Sequence, residues 1–368
     1  VTPGTHVAAP LRQSIPALCR AQAVDTRLRA DDRLGHFLAR GGKFVVRAVT
    51  REDLDAIAAD ADLTLVATGK GGLSGLFPVD PDRTVYAGPQ RHLLLATFKE
   101  LNRADHQFAY RSSDGARHNW SNIHADFGET FFGPYLHKDL GATRAFIGFA
   151  KPGSIFNSVT DTQSAGDAVV ILFATYFPED IELIDQLEPL HEDPHSWLLG
   201  AVPPTVRRAV ARTKNGHAVA ALGDAAVSFD PLGGQGAQNA IVQSVLPIRA
   251  LSEHKDKITY EWLQDQFNAH WDHRAEAATE VTRLFLGDDK YKTHAELLLP
   301  AAAVNAKIGS AYFDFLSEPQ LLLGIQSREQ IDNFIENLAG EAAETVLARF
   351  KAPSQLTRAK ALERVALS

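Results

Sequence analysis

The sequence predicts an α/β protein with a β-rich middle and a helical C-terminal region. Three stretches predict it. His217–Leu222 is a small apolar run of strand length, followed by an Asp-bearing turn, a glycine-rich loop, and Ala237, Ile241, Val245 and Ile248 at helical spacing. From Phe77 to about Leu199, short apolar runs alternate with Gly, Pro, Asn and Asp, the pattern of an antiparallel sheet. Beyond Leu251 the apolar residues recur at helical spacing almost throughout.

The 368 residues are 45% hydrophobic, enough for one large domain or two. With 37 basic against 45 acidic residues the net charge is -8, and no basic patch stands out, so nucleic acid is not an expected partner. The lone Cys19 excludes a disulfide within the chain and reads as a small buried residue. A reducing cytoplasm is the expected compartment. No apolar run reaches membrane-spanning length and no signal pattern opens the chain, so no membrane association is expected.

In order, Val1 to Pro16 reads as irregular, with Pro3, Pro10 and Pro16 against long elements. Asp25 caps an expected helix through Leu28, Leu34, Phe37 and Leu38, with Gly41-Gly42 as its stop and Phe44-Val45-Val46 as a short strand after it. Glu52 to Ala59 is a short helix, and Asp62 to Gly69 a buried strand ending in Thr68-Gly69. The following Gly69-Lys70-Gly71-Gly72-Leu73-Ser74 is not a dinucleotide fingerprint, because Ser74 stands where the third glycine should be.

Tyr86–Phe98, Ala145–Ala150 and Ala168–Phe177 read as strands, with Asp167–Phe177 the clearest. Among the many aromatics of this region most are core, and a few are expected to line an apolar pocket. His191-Glu192-Asp193-Pro194-His195 matches a zinc-protease pattern, but Pro194 and Pro189 deny it the helix on which both imidazoles share a face. His118 and His124 read as surface or core histidines. Pro203 to Arg212 reads as a short helix, then come helices over Tyr260–Leu286, Ala295–Ile308 and about Ser317 to Arg349, with a final helix after Pro353.

The chemistry gathers at Gly223-Asp224 and Asp230-Pro231-Leu232-Gly233-Gly234-Gln235-Gly236-Ala237-Gln238. A glycine loop opening a helix leaves backbone N–H groups free where the helix carries partial positive charge, a seat for an anion or an electron-rich ring. Asp224 can accept hydrogen bonds from sugar or ribityl hydroxyls, and Gly234 and Gly236 let a flat ligand approach the backbone.

This stretch resembles the second FAD-binding motif of class A-type flavoprotein monooxygenases, and its wording Asp-Pro-x-x-Gln-Gly-Ala, with Gly233-Gly234 filling the loop, resembles the styrene/indole monooxygenase family. Arg20–Leu28 and Ala39–Phe44 resemble the same family, as does Ala67-Thr68-Gly69 at the close of a strand. The resemblance covers Arg20 to Leu251, more weakly to about Leu338, and departs at Gln238, where the family tends to have Asn.

The resemblance implies a Rossmann-like FAD-binding domain (GR2, p-hydroxybenzoate hydroxylase-like) with an inserted antiparallel β-sheet substrate domain and a helical C-terminal region. The expected divisions are 1–85 and 206–251 for the FAD-binding domain, 86–205 for the substrate domain, and 252–368 for the helical region. It implies FAD contacts from Asp224, Pro231, Gly234, Gln235, Gly236, Ala237 and Gln238, from Arg27, and from Thr68 and Gly69. It implies a two-component system in which a separate flavin reductase supplies reduced FAD, and O2 then gives a flavin C4a-(hydro)peroxide that oxygenates an apolar alkene or aromatic such as styrene or indole. No side-chain acid or base is required, and a homodimer is among the expected states. The family's opening Gly-x-Gly-x-x-Gly does not occur here, so the first FAD-binding segment is expected before Val1. The alternatives are a single-component NAD(P)H-dependent hydroxylase, a flavin halogenase, whose lysine and Trp-rich motif are not found, and a non-catalytic flavin-binding protein.

Overall fold

A computed structural model describes residues 23–100, 120–124, 126–153, 155–185 and 187–351. The readings for Val1 to Pro16, Cys19, His118 and the tail after Pro353 lie outside the described residues.

The chain begins with β1 (Ala23–Val24), α1 (Thr26–Ala39), α2 (Arg51–Ala59), β2 (Leu65–Val66) and β3 (His92–Glu100). There follow β4 (Trp120–His124), β5 (Gly128–His137), β6 (Gly141–Ala150), α3 (Thr162–Tyr176), α4 (Ile181–Ile184), β7 (Leu187–Pro189) and β8 (Trp197–Ala201). Next come β9 (Thr205–Val206), β10 (Val210–Arg212), β11 (Ala218–Ala221), β12 (Val227–Ser228), α5 (Gly236–Leu251) and α6 (Tyr260–His270). The remainder is α7 (Glu276–Leu286), α8 (Lys292–Val304), α9 (Ala306–Ser317), α10 (Gln320–Leu323), α11 (Arg328–Ala339) and α12 (Ala343–Lys351). The fold is mixed α/β with a helical C-terminal region. It forms two compact units: 23–232 with 236–268, and 233–235 with 269–351. No helix among the described residues is long and apolar enough to cross a membrane.

The first unit is built on a sheet in the order β1-β5-β6-β3-β7, with β4 on β5 and β8 on β3, antiparallel except for β1 on β5. Side chains alternate across it. Leu94, Ala96, Phe98, Phe132 and Phe146 face a core completed by Ala165, Ala168, Val169, Leu172 and Phe173 of α3. Phe173 meets Phe132 and Phe146 edge-on, at ring separations of 6.4 and 6.1 Å. Each such buried side chain contributes about 1.5–3 kcal/mol. A Cβ on Gly166 would lie 2.3 Å from Pro189 Cγ, so glycine is required where α3 crosses β7.

Helix α3 corrects the sequence reading, which made 167–177 a strand. Asp161 and Ser164 form a capping box, with Ser164 N–H donating to Asp161 Oδ1 at 2.7 Å. The buried positions of α3 fall at helical spacing, and sheet and helix bury each other better than two competing strands would. Two further readings are corrected. Residues 203–212 hold β9 and β10 rather than a helix, because Val206 pairs with Val227 and Val210 with Ala220. Phe44–Val46 forms no strand and is exposed, Val46 to 85%. The expected strand over Asp62–Gly69 shrinks to β2. The cap at Asp25 stands, with α1 closing before Gly41 at φ 84.

The second unit is helical. Val281 and Leu284 of α7, Leu298 and Ala302 of α8, Ile308 and Phe315 of α9, Ile331 and Ile335 of α11 and Val346 of α12 share one core. The expected helix over Tyr260–Leu286 is present but carries a π-helical turn at Trp271–Ala275. Such a turn is over-represented at functional positions.

Candidate functional site

Strands β2 and β11 run parallel, with Leu65 opposite Ala220 and Val66 opposite Ala221. Leu222 N–H donates to the Val66 carbonyl at 2.9 Å. Thr68-Gly69 and Gly223-Asp224 therefore leave the carboxyl ends of two adjacent parallel strands, where open α/β sheets take their ligands. Gly69 and Gly223 turn the chain there with φ +66 and +64, the left-handed region that favours glycine.

Lys70 Nζ lies 3.8 Å from Asp224 Oδ2, both side chains remaining solvent-accessible. Lys70 is held in its own turn, its carbonyl accepting from Ser74 Oγ at 2.9 Å. A Cβ on Gly236 would meet Asp224 Oδ1 at 3.7 Å, so the carboxylate stands beside the first turn of α5. Gln243, buried on α5, accepts from Gly223 N–H at 2.8 Å and donates to the Ala221 carbonyl at 3.0 Å, fixing α5 against the end of β11. Ala237 and Gln238 are exposed at the helix start. Together, Thr68, Gly69, Lys70, Asp224 and the α5 N-terminus offer a carboxylate acceptor, a cation and helix-end N–H donors in one place.

Pro231 is exposed, and Leu232 N–H donates to Asp230 Oδ1 at 3.0 Å. In the helical unit, Gly234 is exposed with φ +62 and open space where a Cβ would stand. The Gln235 side chain is buried. Its Nε2 donates to the Gly233 and Leu316 carbonyls at 2.9 and 3.0 Å, and its Oε1 accepts from Arg274 Nη2 at 3.1 Å. Any ligand contact from Gln235 must come from its backbone.

Arg27 is placed among other partners. Asp25 takes its Nε and Nη2 (2.9 and 2.6 Å), and Asp193 ion-pairs with Nη2. His137 Nδ1 accepts from the Asp139 and Leu140 N–H groups at 3.2 and 3.3 Å, so its Nε2 carries the proton and donates to Asp193 at 2.9 Å. The Arg27 hydrogen bond, with help from two backbone N–H donors, holds the Asp25 carboxyl down at about 2 despite its burial. Arg27 holds Asp193 well below the usual carboxylate range. Asp193 was not legible as a partner of Arg27, nor His137 as a partner of Asp193. Asp193 sits inside the His-Glu-x-x-His match, which is a non-helical loop.

The sheet face opposite α3 carries a smaller apolar group: Leu93, Phe131, Ile147, Phe149 and Val202, with Leu232 packed against it. Leu232 directly follows Asp230-Pro231, so the chain leading into the glycine loop lies on this face.

The family described as "Styrene monooxygenase A putative substrate binding domain" matches residues 69–182. The chain is 28% identical over 222 residues to styrene monooxygenase StyA of Pseudomonas sp, covering 60% of this chain and 52% of that protein. StyA of Pseudomonas fluorescens matches to the same extent. The chain thus spans about half the length of the curated relatives it matches. Among solved structures, tetracycline destructase Tet(55) is 15% identical with TM-score 0.41, covering 66% of this chain and 60% of its own. A variant of Klebsiella pneumoniae HpxO complexed with FAD is 15% identical with TM-score 0.37, covering 75% and 60%.

Proposed function

From a chain that is styrene monooxygenase-like in sequence, we propose an FAD-dependent monooxygenase that takes reduced FAD from a separate reductase and, with O2, oxygenates an apolar alkene or aromatic. The observation that carries this reading is the meeting of Thr68-Gly69 and Asp224 at the ends of β2 and β11, beside the start of α5. The residues fit the cofactor. Asp224 would accept from flavin-chain hydroxyls, the N–H groups of Gly236, Ala237 and Gln238 would hold the electron-rich ring, and Gly69 would leave room for close approach. Arg27 keeps Nη1 outside its carboxylate pairs, an edge suited to a phosphate oxygen.

When bound, FAD supplies the oxygen chemistry, which amino-acid side chains do not provide. The chain's part is to hold and to exclude water. Helix-end N–H groups favour the anionic reduced ring over the neutral oxidised one. The apolar face of Leu93, Phe131, Ile147 and Phe149 supports an apolar substrate, held in the 86–205 region by packing alone.

The test supplies the full-length protein with FAD, NADH and O2, with and without a flavin reductase, and styrene, indole or a thioether. Oxygenated product is expected only with the reductase or pre-reduced FAD. Bleaching of bound FAD by NADH or NADPH alone would instead establish a single-component hydroxylase.

A further inference from the structure

Asp230 has no solvent exposure. Its Oδ1 accepts from Leu232 N–H at 3.0 Å, while its Oδ2 is buried without a hydrogen-bond partner among the described residues. An ionised carboxylate with a bare buried oxygen loses its hydration with nothing to replace it. The Arg91 guanidinium offsets this only in part. Arg91, itself buried, is committed in a two-point pair to Glu129, with Nε to Oε2 at 2.8 Å and Nη2 to Oε1 at 2.9 Å, and its Nη1 donates to the Gln90 carbonyl at 3.1 Å. Burial pushes the Asp230 carboxyl up. Glu129 adds a negative charge that raises the Asp230 carboxyl further, and Lys70 a positive one that lowers it. A proton held by this carboxyl would sit on Oδ2, because Oδ1 already accepts.

The position gives this acid a use. Arg91 leads into β3, and Glu129 lies opposite Phe149, on the face that carries Leu93, Phe131 and Ile147. Asp230 precedes Pro231 and Leu232, and Leu232 packs on that same face. The Asp230 carboxyl is thus fixed beside the apolar face at the entry of the glycine loop, its Oδ2 without a hydrogen-bond partner among the described residues. We propose that Asp230 is a ligand-binding carboxylic acid whose free O–H donates to a ring carbonyl or ring nitrogen of the flavin, with the Arg91–Glu129 pair as its fixed support. The inference rests on the FAD reading above. It adds a neutral donor to the side-chain set, which otherwise contributes a carboxylate acceptor and cationic donors.

Isotope-edited infrared difference spectra, with 13C-aspartate in the full-length protein and oxidised FAD as the added probe, test it. At neutral pH a protonated-carboxyl stretch that vanishes in Asp230→Asn is expected, and FAD should shift it to lower frequency as the O–H gains an acceptor. Asp230→Ala, which removes the donor, should weaken FAD about tenfold, the cost of one such bond at about 1.4 kcal/mol. If Asp230→Asn does not fold, Asp230→Glu keeps the acid, displaces the same band and serves for its assignment. A carboxylate band from Asp230 at neutral pH, or a protonated band unmoved while FAD fluorescence is quenched, overturns the inference alone. No quenching at any FAD concentration removes the FAD reading, and this inference with it.

Discussion

Arg27 and Asp193, 166 residues apart in the sequence, form an ion pair at which Asp193 also accepts the His137 Nε2–H. Asp25 holds the same guanidinium from the cap of α1, and its own N–H donates to the Leu136 carbonyl at 2.9 Å. Three separate segments are therefore tied at one arginine: the start of α1, the end of β5 and the loop after β7.

That tie predicts acid lability. A carboxylate whose pKa is lowered on folding stabilises fully above its unfolded value, about 3.9, and its contribution is lost as pH falls through the folded value. For Asp25 the window runs from about pH 4 down to about 2, and Asp193 extends it lower. Arg27 is partly exposed, so screening leaves about 1 kcal/mol for the pair. Urea midpoints across this range should fall more steeply for the native protein than for Asp193→Asn. Equal slopes would mean the pair is inert.

Asp224 is close to half exposed, so its loss should spare the fold and cost the ligand. Asp224→Ala in the full-length protein should weaken FAD by roughly one to two decades, the worth of a charge-assisted hydrogen bond. Titration by flavin fluorescence, with thermal melting as the fold control, decides this. An unchanged dissociation constant would remove Asp224 from the site.

At Gly233 an added Cβ would stand 2.6 Å from Thr282 Oγ1 and 3.2 Å from Thr282 Cα. Gly233→Ala should destabilise by about 1–3 kcal/mol through overpacking. Thr282→Ala removes the nearer atom and should recover part of the loss in a double-mutant cycle. Additive effects would show that the two residues do not meet.

Helix α3 predicts a contrast between neighbours. Leu172 is fully buried and Ile171 is 55% exposed. Leu172→Ala should cost about 2–5 kcal/mol and Ile171→Ala well under about 1. Asp161→Ala, which breaks the capping box, should cost about 1 kcal/mol. Chemical denaturation of the three variants orders them, and an Ile171 variant as damaged as the Leu172 one would contradict the helix.

The sequence by itself determined the local grammar of this protein. His217–Leu222, the turn at Gly223-Asp224 and the glycine loop before Ala237 became β11, a tight turn and α5, because glycine at positive φ and helical apolar spacing act over a few residues. The Asp25 cap and the C-terminal helices were legible for the same reason. At 167–177 the apolar, β-branched run suggested a strand, although Asp161-x-x-Ser164 already marked a helix start. Packing against Phe132 and Phe146 decided between them. Strands β9 and β10 had no readable signal, since their partners lie in β12 and β11. Only the tertiary structure brought Lys70 to Asp224, Asp193 to Arg27 and Arg274 to Gln235. Ion pairs and hydrogen bonds act over a few ångströms of space, and the chain separations they bridge leave no period or motif in the sequence.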